Sequence, residues 1–474
     1  MSLTRKIAHN TLIQVIGRGG GGVLSVVALA LITRYLGLEG YGIYTTIITF
    51  LQVFGILINF GLTIITVQMV SERDEGIDKV MSNIATLRVT SSLVFFGLAP
   101  IIALFFPYPA IIKIGIALTS FAFIFQMLIE TIVGIFQKHL QMDKPALAEF
   151  ISRVIYVGLA AAVIFLHKGI LFIMVALNIA NFVWLLIILY YASKLVKLKP
   201  AFDWTLWKEI LRRAWPIGLS IILNLIYLKA DVIILSVYKP QTDVGLYGAP
   251  YKLIDALTTF AMMFMGLILP ILASAWAKNN IERFKAVFQK TFNLVTIFVV
   301  PMIVGTYFVA KKIMIFIASA DFAGSGKILS ILVIGAGGLF VGSLFAHTIV
   351  AIDKQKAVIW GYAIDAALSL VGYIIFIPKY SYLGAAWVTV FSEILIAIIS
   401  LFIVYKYTGI LPKFAKIFFK SALAVVPMAA ALYFLKDAHA VISLLAGAAI
   451  YAGFIILFRG ITLAEVKQII RLKA

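Results

Sequence analysis

Fourteen apolar stretches, each long enough to cross a bilayer, occupy almost the whole of this 474-residue chain. An α-helix rises 1.5 Å per residue, so about 20 apolar residues cross the roughly 30 Å hydrocarbon core of a membrane. The pattern predicts an all-α polytopic membrane protein with about 14 transmembrane helices. We place the spans at residues 11–33, 42–69, 83–106, 110–137, 146–166, 169–192, 215–237, 249–276, 290–310, 328–352, 357–378, 381–405, 416–435 and 440–458.

Composition and charge agree with a membrane location. The chain is 63% hydrophobic, against about 45–50% in soluble proteins. Its net charge is +20, but about 25 of the 40 Lys and Arg residues fall in cytoplasmic segments if the N-terminus is cytoplasmic. The positive charge therefore indicates orientation and not nucleic-acid binding. We expect a multi-pass protein of the cytoplasmic membrane with both termini in the cytoplasm.

The longest connector, residues 193–214, separates two halves of six spans each. It carries Trp204 and Trp207 among basic residues, a pattern typical of a helix that lies in the membrane interface. Because six is even, both halves enter the membrane in the same orientation, as parallel repeats around a central cavity would. We predict an N-lobe (1–192), an interfacial linker helix (193–214), a C-lobe (215–409), and two extra C-terminal helices with a cytoplasmic tail (410–474).

Two pairs of short motifs indicate that the halves arose by duplication. Gly42-Ile43-Tyr44 opens the second span, and Gly245-Leu246-Tyr247 precedes the eighth. Met142-Asp143-Lys144 precedes the fifth span, and Ile352-Asp353-Lys354 precedes the eleventh. Two matches in the same order are harder to obtain by chance than one.

Several stretches resemble the polysaccharide-flippase branch of the multidrug/oligosaccharidyl-lipid/polysaccharide exporter superfamily. They are Arg34-Tyr35-Leu36-Gly37 with Gly40-Tyr41-Gly42-Ile43-Tyr44, Phe136-Gln137 with Met142-Asp143-Lys144-Pro145-Ala146-Leu147, Asp231-Val232-Ile233-Ile234-Leu235 with Val244-Gly245-Leu246-Tyr247, and Ile377-Pro378-Lys379-Tyr380 with Leu383-Gly384-Ala385-Ala386. Their order and spacing cover nearly the whole chain. The resemblance implies two lobes that rock around a central cavity and translocate polyprenyl-diphosphate-linked oligosaccharide.

Charged residues inside the spans are the candidate site. A charge in the hydrocarbon core costs about 2.5–3.5 kcal/mol, so it needs a partner, a wet cavity or a ligand. Arg18 lies about seven residues into the first span, roughly 10 Å from the inner interface. Its guanidinium suits a diphosphate, with extension toward the headgroups as the alternative.

Lys252 and Asp255 are three residues apart in the eighth span, so they share one helix face. The related lipid II flippases carry a basic and an acidic residue at this spacing, followed by a Leu-Pro that Leu269-Pro270 matches here. The resemblance implies that Lys252 binds the substrate phosphate and that Asp255 balances it. The alternative is an internal ion pair.

Three further cations are candidate substrate-binding residues. Lys229 lies about 14 residues into the seventh span, too deep to reach the inner interface. Arg88 and Arg153 lie about five to seven residues from the cytoplasm, where extension to the headgroups competes with a cavity role.

Glu130, Asp365 and Glu393 lie deeper and are candidates for coupling transport to H⁺ or Na⁺. Burial disfavours the charged form of a carboxylate, so such a group can exchange protons near neutral pH. Ion pairing with the basic residues is the alternative.

We predict no catalytic residue, no bound metal and no cofactor. Cysteine is absent, which excludes thiol catalysis and zinc bound by cysteine. Ala323-Gly324-Ser325-Gly326-Lys327 is similar to a phosphate loop, but the Ser or Thr after the lysine and the earlier glycine are missing. The longest outside connector has only about 17 residues, whereas a catalytic domain needs about 50.

The sequence therefore predicts a monomeric flippase for cell-surface polysaccharide biosynthesis, whose partners are the lipid-linked oligosaccharide and membrane lipids. The first alternative is a cation-coupled multidrug antiporter, which the two extra spans and the deep lysines disfavour. The second is a lipid II-type flippase. It is disfavoured because the basic residue typical of that group's second helix has no counterpart in residues 45–49.

Overall fold

The computed structural model describes residues 3–72 and 76–461, including their side chains except those of residues 3–19, 216–217, 220 and 223–228. These described residues form α-helices, one 3-10 helix and short connections, with no β-strand among them. In the described part of the chain, 11 helices are long and apolar enough to cross a membrane. The predicted all-α polytopic fold is confirmed.

The helices follow one another along the chain with short connections. They are α1 (Leu3–Asn59), α2 (Leu62–Ser71), α3 (Ile77–Leu104), α4 (Ala110–Lys138), α5 (Asp143–Phe165), α6 (Ile170–Ala192), α7 (Trp204–Tyr238), α8 (Gln241–Ala277), α9 (Ile281–Ile317), α10 (Ser325–Ala351), α11 (Gln355–Thr408), α12 (Ala415–Phe434) and α13 (Ala440–Leu457). The 3-10 helix Ala320–Gly324 leads into α10.

Two of these helices bend sharply, and each bend separates two long legs. Gly37 (φ 64°, ψ −170°) interrupts α1, and Ser381 (φ 49°, ψ −136°) interrupts α11. Only glycine adopts the conformation of Gly37 readily, which explains the glycine of that motif. The described helices make fourteen segments, namely two from α1 with α2, two from α11 and one from each of the others. Hydropathy predicted this number.

The chain divides into two compact units, Met1–Gly245 and Leu246–Ala474. In unit 1, one apolar core surrounds Met69 and Ile132, and another surrounds Leu51 and Phe96. In unit 2, one core surrounds Phe288, and a smaller one joins α9 to α12 and α13. Unit 1 includes α7, whose membrane-spanning part the sequence predicts to belong to the C-lobe. The lobes and their parallel arrangement stay predictions.

The connector after α6 is only partly the helix that we predicted over residues 193–214. Residues 193–203 are non-helical, and α7 begins at Trp204 and continues without interruption to Tyr238. The helix begins there because the Asp203 side chain accepts hydrogen bonds from the N–H groups of Thr205 and Leu206, a strong N-cap.

Side chains of α3 hold the non-helical connector in place. The N–H of Lys197 donates to Asp78, that of Ala201 to Thr86 and that of Asp203 to Asn83, at 3.0, 3.0 and 2.8 Å. Lys79 also lies 2.7 Å from the Asp203 carboxylate. This hydrogen bond from Lys79, together with the α7 N–H groups, lowers the pKa of Asp203. The side chains of α3 thus replace the hydrogen bonds that a helical connector would make within itself.

In unit 2, the Tyr451 hydroxyl replaces a helical hydrogen bond that Pro301 prevents. Pro301 in α9 has no N–H, so the carbonyl of Ile297 four residues earlier lacks its helical partner. The hydroxyl of Tyr451 on α13 donates to that carbonyl at 2.8 Å. This bond fixes α13 against α9.

A second pair of a proline and a hydroxyl explains why a serine occurs in the segment that is similar to a phosphate loop. Pro250 in α8 leaves the carbonyl of Leu246 without its helical partner, and the Ser325 hydroxyl donates to it at 2.7 Å. A Cβ on Gly326 would lie 2.6 Å from the Cα of Lys311, so this glycine permits a close helix contact. Ser325 and Gly326 therefore serve packing.

The first pair of repeated motifs meets at one helix crossing within unit 1. A Cβ on Gly42 would lie 1.8 Å from the carbonyl oxygen of Gln241, and one on Gly245 would lie 2.0 Å from that of Leu38. No other residue fits at either position without moving backbone. Both glycines are therefore required by the close approach of the second leg of α1 to the start of α8.

Candidate functional site

Arg88, a fully buried arginine of unit 1, lies where α1 ends. Phe60 (φ 37°) and Gly61 (φ 79°) separate α1 from α2 and so interrupt the second membrane segment. The Nη1 of Arg88 on α3 donates to the carbonyl of Ile58, in the last turn before this break, at 3.2 Å. A helix end inside a membrane needs such partners for its exposed backbone groups.

Arg88 is completely buried, with 0% of its surface exposed. Its Nε donates to Thr131 at 2.8 Å, and its Nη2 donates to Thr63 at 3.0 Å and to Asn59 at 3.4 Å. Extension to the headgroups is therefore wrong for this residue. The predicted span begins at residue 83, whereas α3 begins at Ile77, so Arg88 lies about 16 Å along the helix. Because protein acceptors already take its donors, the geometry favours a structural role.

Glu130 lies beside this cluster, one residue before Thr131. It is half-buried, accepts a hydrogen bond from Gln126 at 3.1 Å, and interacts electrostatically with Arg88. Neither Gln126 nor the residues that bind Arg88 were among the predicted site residues. The spacing of four residues, which joins Gln126 to Glu130 and Asn59 to Thr63, is the sequence signal that could have found them.

Arg153 joins α5 to the glycine-rich part of α1. Its Nε and Nη2 donate to Glu149 at 3.1 and 2.6 Å, and its Nη1 donates to the carbonyl of Gly21 at 3.2 Å and to the hydroxyl of Ser25. A Cβ on Gly21 would lie 3.1 Å from the Arg153 side chain, so the absence of a side chain there makes room for the guanidinium. These bonds occupy Arg153 within unit 1.

The second concentration of buried charge lies in unit 2. Asp365 on the first leg of α11 is 0% exposed, and Glu393 on the second leg is 6% exposed. Ser392 donates to Asp365 Oδ2 at 2.8 Å, and the two carboxylates interact electrostatically. Among the described residues, Asp365 Oδ1 has no hydrogen-bond partner, and neither carboxylate has a Lys or Arg partner. Two acidic groups are thus held together in an apolar environment without a protein cation.

The remaining predicted residues lie on α1, α7 and α8. Lys229 is half-buried on α7 of unit 1, whereas Lys252 is exposed and Asp255 half-buried on α8 of unit 2. The Arg18 side chain lies outside the described residues, although the backbone of α1 continues through it. The substrate-binding roles of these residues stay predictions.

The long apolar helices, with charges held among them, are those of a multi-pass membrane protein. The chain belongs to the polysaccharide biosynthesis protein family, whose model matches residues 3–276. No match was found among curated protein sequences.

Solved structures share the fold at low sequence identity. The lipid II flippase MurJ in an inward closed conformation is 19% identical with a TM-score of 0.79, covering 94% of this chain and 98% of that one. An inward-facing multidrug resistance MATE family transporter is 12% identical with a TM-score of 0.67, covering 81% and 94%. An outward-facing MATE family transporter is 12% identical with a TM-score of 0.58, covering 85% and 95%.

Proposed function

We propose that this protein is a flippase that moves polyprenyl-diphosphate-linked oligosaccharide across the cytoplasmic membrane by alternating access, with both termini in the cytoplasm. The observation that carries the proposal is the family match over residues 3–276 in a chain with the fold of a lipid flippase. The task is to carry a diphosphate and several sugar hydroxyls through a layer that hydrates neither. The monomeric state stays a prediction.

Three cations would replace water around the diphosphate. We assign this role to Arg18, Lys229 and Lys252, with Asp255 balancing Lys252. The exposure of Lys252 and the half-burial of Lys229 support the assignment, because a ligand can reach such side chains. The polyprenyl tail stays in the bilayer, where it is soluble. Arg88 and Arg153 are excluded from this set because protein acceptors occupy them.

Coupling to an ion is assigned to Asp365 and Glu393. Two buried carboxylates without a protein cation are costly when both are charged, and a bound H⁺ or Na⁺ would remove part of that cost. Glu130 is a weaker candidate because the Arg88 cation already offsets its charge.

The transport assay uses the full chain in liposomes with a fluorescent polyprenyl-diphosphate oligosaccharide. We expect the wild type to equilibrate the lipid between leaflets and the double variant Arg18→Ala, Lys252→Ala to lose this activity. The matched control is Arg212→Ala with Lys278→Ala, which removes one arginine and one lysine that are exposed. Wild-type activity in the Arg18, Lys252 variant would reject the site. Transport of lipid II, or of a cationic drug, in place of the glycolipid would instead favour one of the two alternative functions.

The coupling assay repeats the measurement under a proton gradient and under a sodium gradient. We expect one gradient to drive accumulation in one leaflet, and expect Asp365→Asn or Glu393→Gln to abolish that accumulation while equilibration continues. Asp353→Asn and Glu282→Gln are matched controls at exposed positions. Unchanged accumulation in the Asp365 and Glu393 variants would reject the coupling assignment.

A further inference from the structure

Four polar side chains of unit 1 surround the break between α1 and α2 and are only partly covered by protein. Asn59 ends α1, Thr63 lies in the first turn of α2, and Gln126 and Glu130 lie one turn apart on α4. All four are half-buried. We call these four residues the break patch.

The buried Arg88 side chain contacts the break patch on the side that faces the protein interior. It donates to Asn59 and Thr63, and the Thr63 hydroxyl donates to Asn59 Oδ1 at 2.9 Å. The positive charge of Arg88 also acts on Glu130. These contacts hold the polar side chains of the patch in a fixed arrangement, as a binding site requires.

The outer atoms of the break patch keep unused hydrogen-bonding capacity. Among the described residues, Asn59 Nδ2, Gln126 Oε1 and Glu130 Oε2 take part in no hydrogen bond. An amide nitrogen supplies donors, and the two oxygens supply acceptors. The patch can thus both donate to a ligand and accept from it.

The depth of the break patch excludes acyl chains as its neighbours. Glu130 lies eight residues before the end of α4, which corresponds to about 12 Å of helix. Irregular backbone and a carboxylate at such a depth are tolerated only where protein or water covers them. The half-buried surface of the patch therefore faces water or a polar ligand.

The charge of the break patch selects the kind of ligand. Its single carboxylate repels phosphate, and the charge is offset by Arg88, so a metal ion gains little there. A neutral ligand with many hydroxyls fits best, because each hydroxyl both donates and accepts. We propose that the break patch binds hydroxyl groups of the transported glycan, separately from the cations that hold the diphosphate. This inference rests on the proposed function.

The test compares two lipids that differ only in the sugar. Purified full-length protein in nanodiscs is titrated with undecaprenyl diphosphate and with undecaprenyl diphosphate carrying N-acetylglucosamine. We expect the wild type to bind the glycosylated lipid more tightly. Gln126→Leu should weaken binding of the glycosylated lipid by about tenfold, the effect of one or two hydrogen bonds, and leave binding of the sugar-free lipid within about twofold.

Two further variants make the result decisive. Glu130→Gln should weaken binding of the glycosylated lipid in the same selective way, whereas Gln68→Leu, at an exposed position of α2, should change neither affinity. Equal affinity of the wild type for both lipids would overturn the role of the break patch while leaving diphosphate binding intact. So would variants that keep the wild-type preference for the glycosylated lipid. A wild type that binds neither lipid would overturn the proposed function itself.

Discussion

The hydroxyl of Tyr451 donates a 2.8 Å hydrogen bond to the carbonyl of Ile297, the oxygen that Pro301 deprives of its helical partner. Pro301 leaves this carbonyl without a donor, and Tyr451, about 150 positions later in the chain, supplies one. Tyr451 is 7% exposed, so water cannot readily take over the role of its hydroxyl. The contact between α9 and α13 therefore includes a hydrogen bond to a carbonyl that Pro301 leaves without a helical partner.

This relationship predicts a measurable coupling between Tyr451 and Pro301. Tyr451→Phe should destabilise the protein by about 0.6 kcal/mol, the average for hydrogen bonds between membrane helices, and by no more than about 1.7 kcal/mol, the largest such value. In the Pro301→Ala background the cost should fall, because the restored N–H at residue 301 can donate to Ile297. A double-mutant cycle by denaturant unfolding in detergent gives the coupling energy, with exposed Tyr433→Phe as the control. Equal costs in both backgrounds would contradict the prediction.

The close approach at Gly42 predicts that a single methyl group is not tolerated. Gly42→Ala places a Cβ against the backbone oxygen of Gln241, which cannot rotate away, so we expect a loss of about 1–3 kcal/mol. Gly97→Ala is the matched control in α3, since nothing lies within 4 Å of its Cβ position. That control should be neutral or stabilising because alanine favours helices by about 1 kcal/mol. Thermal unfolding of both variants distinguishes packing from helix propensity, and equal shifts would argue against the crossing.

Arg88 should be irreplaceable by lysine. The planar guanidinium reaches Ile58, Thr131, Thr63 and Asn59 at once, whereas a lysine has only one nitrogen. We expect Arg88→Met to cost about 3–5 kcal/mol, as the loss of a buried charged partner does. Arg88→Lys keeps the charge, so we expect it to cost about 1–3 kcal/mol, as leaving a buried acceptor unsatisfied does. Arg212→Met, at an exposed position, is the control.

The Arg88→Met variant should be partly rescued by Glu130→Gln, because the second change removes the carboxylate that the first leaves without its cation. Unfolding free energies of the single and double variants measure this effect. Strictly additive losses would show that Arg88 acts on the backbone break alone.

Residues 193–203, the connector bound to α3, should become more mobile in acid because Asp203 is protonated. Because the folded protein lowers the pKa of this carboxyl, its stabilising contribution is complete above the ordinary aspartate pKa of about 3.9 and disappears as the pH falls through the lower folded value. The chain has no cysteine, so Lys199→Cys can carry a single spin label. Label mobility should stay constant from about pH 7 to pH 4 and rise below that range.

Asp203→Asn should make the connector about as mobile at neutral pH as it is in the acidified wild type, and it should remove the acid transition. Asp353→Asn, at an exposed turn, should change neither. An acid transition that survives in Asp203→Asn would assign the response to another carboxyl.

Hydropathy predicted the fourteen segments because the length of an apolar run is a property of the local sequence. Bends at Gly37 and Ser381 did not disturb this count, since Gly37 lies between two runs and Ser381 is the first residue of one. The partners of Arg88 and Tyr451 could not be predicted, because they lie on other helices. Which carbonyl a buried donor meets depends on tertiary packing.

The second motif pair shows the limit of short matches. Leu140 (φ 53°) and Asp353 (φ 56°) end their helices in the same left-handed turn, three residues out of the register that the motifs indicated. The same turn recurs at His167 and Asn279, so it reflects how helices end in this protein. Glycines 42 and 245 are different, because a specific helix crossing requires them.

The two prolines that are matched by hydroxyls impose a direction on sequence drift. If Pro301 or Pro250 is exchanged first, its helix closes its own hydrogen bond and the distant Tyr451 or Ser325 becomes expendable. If the hydroxyl is lost first, a backbone oxygen is stranded in a dry interior. Evolution can therefore lose each pair in one order only: the proline is replaced first, and the tyrosine or serine afterwards.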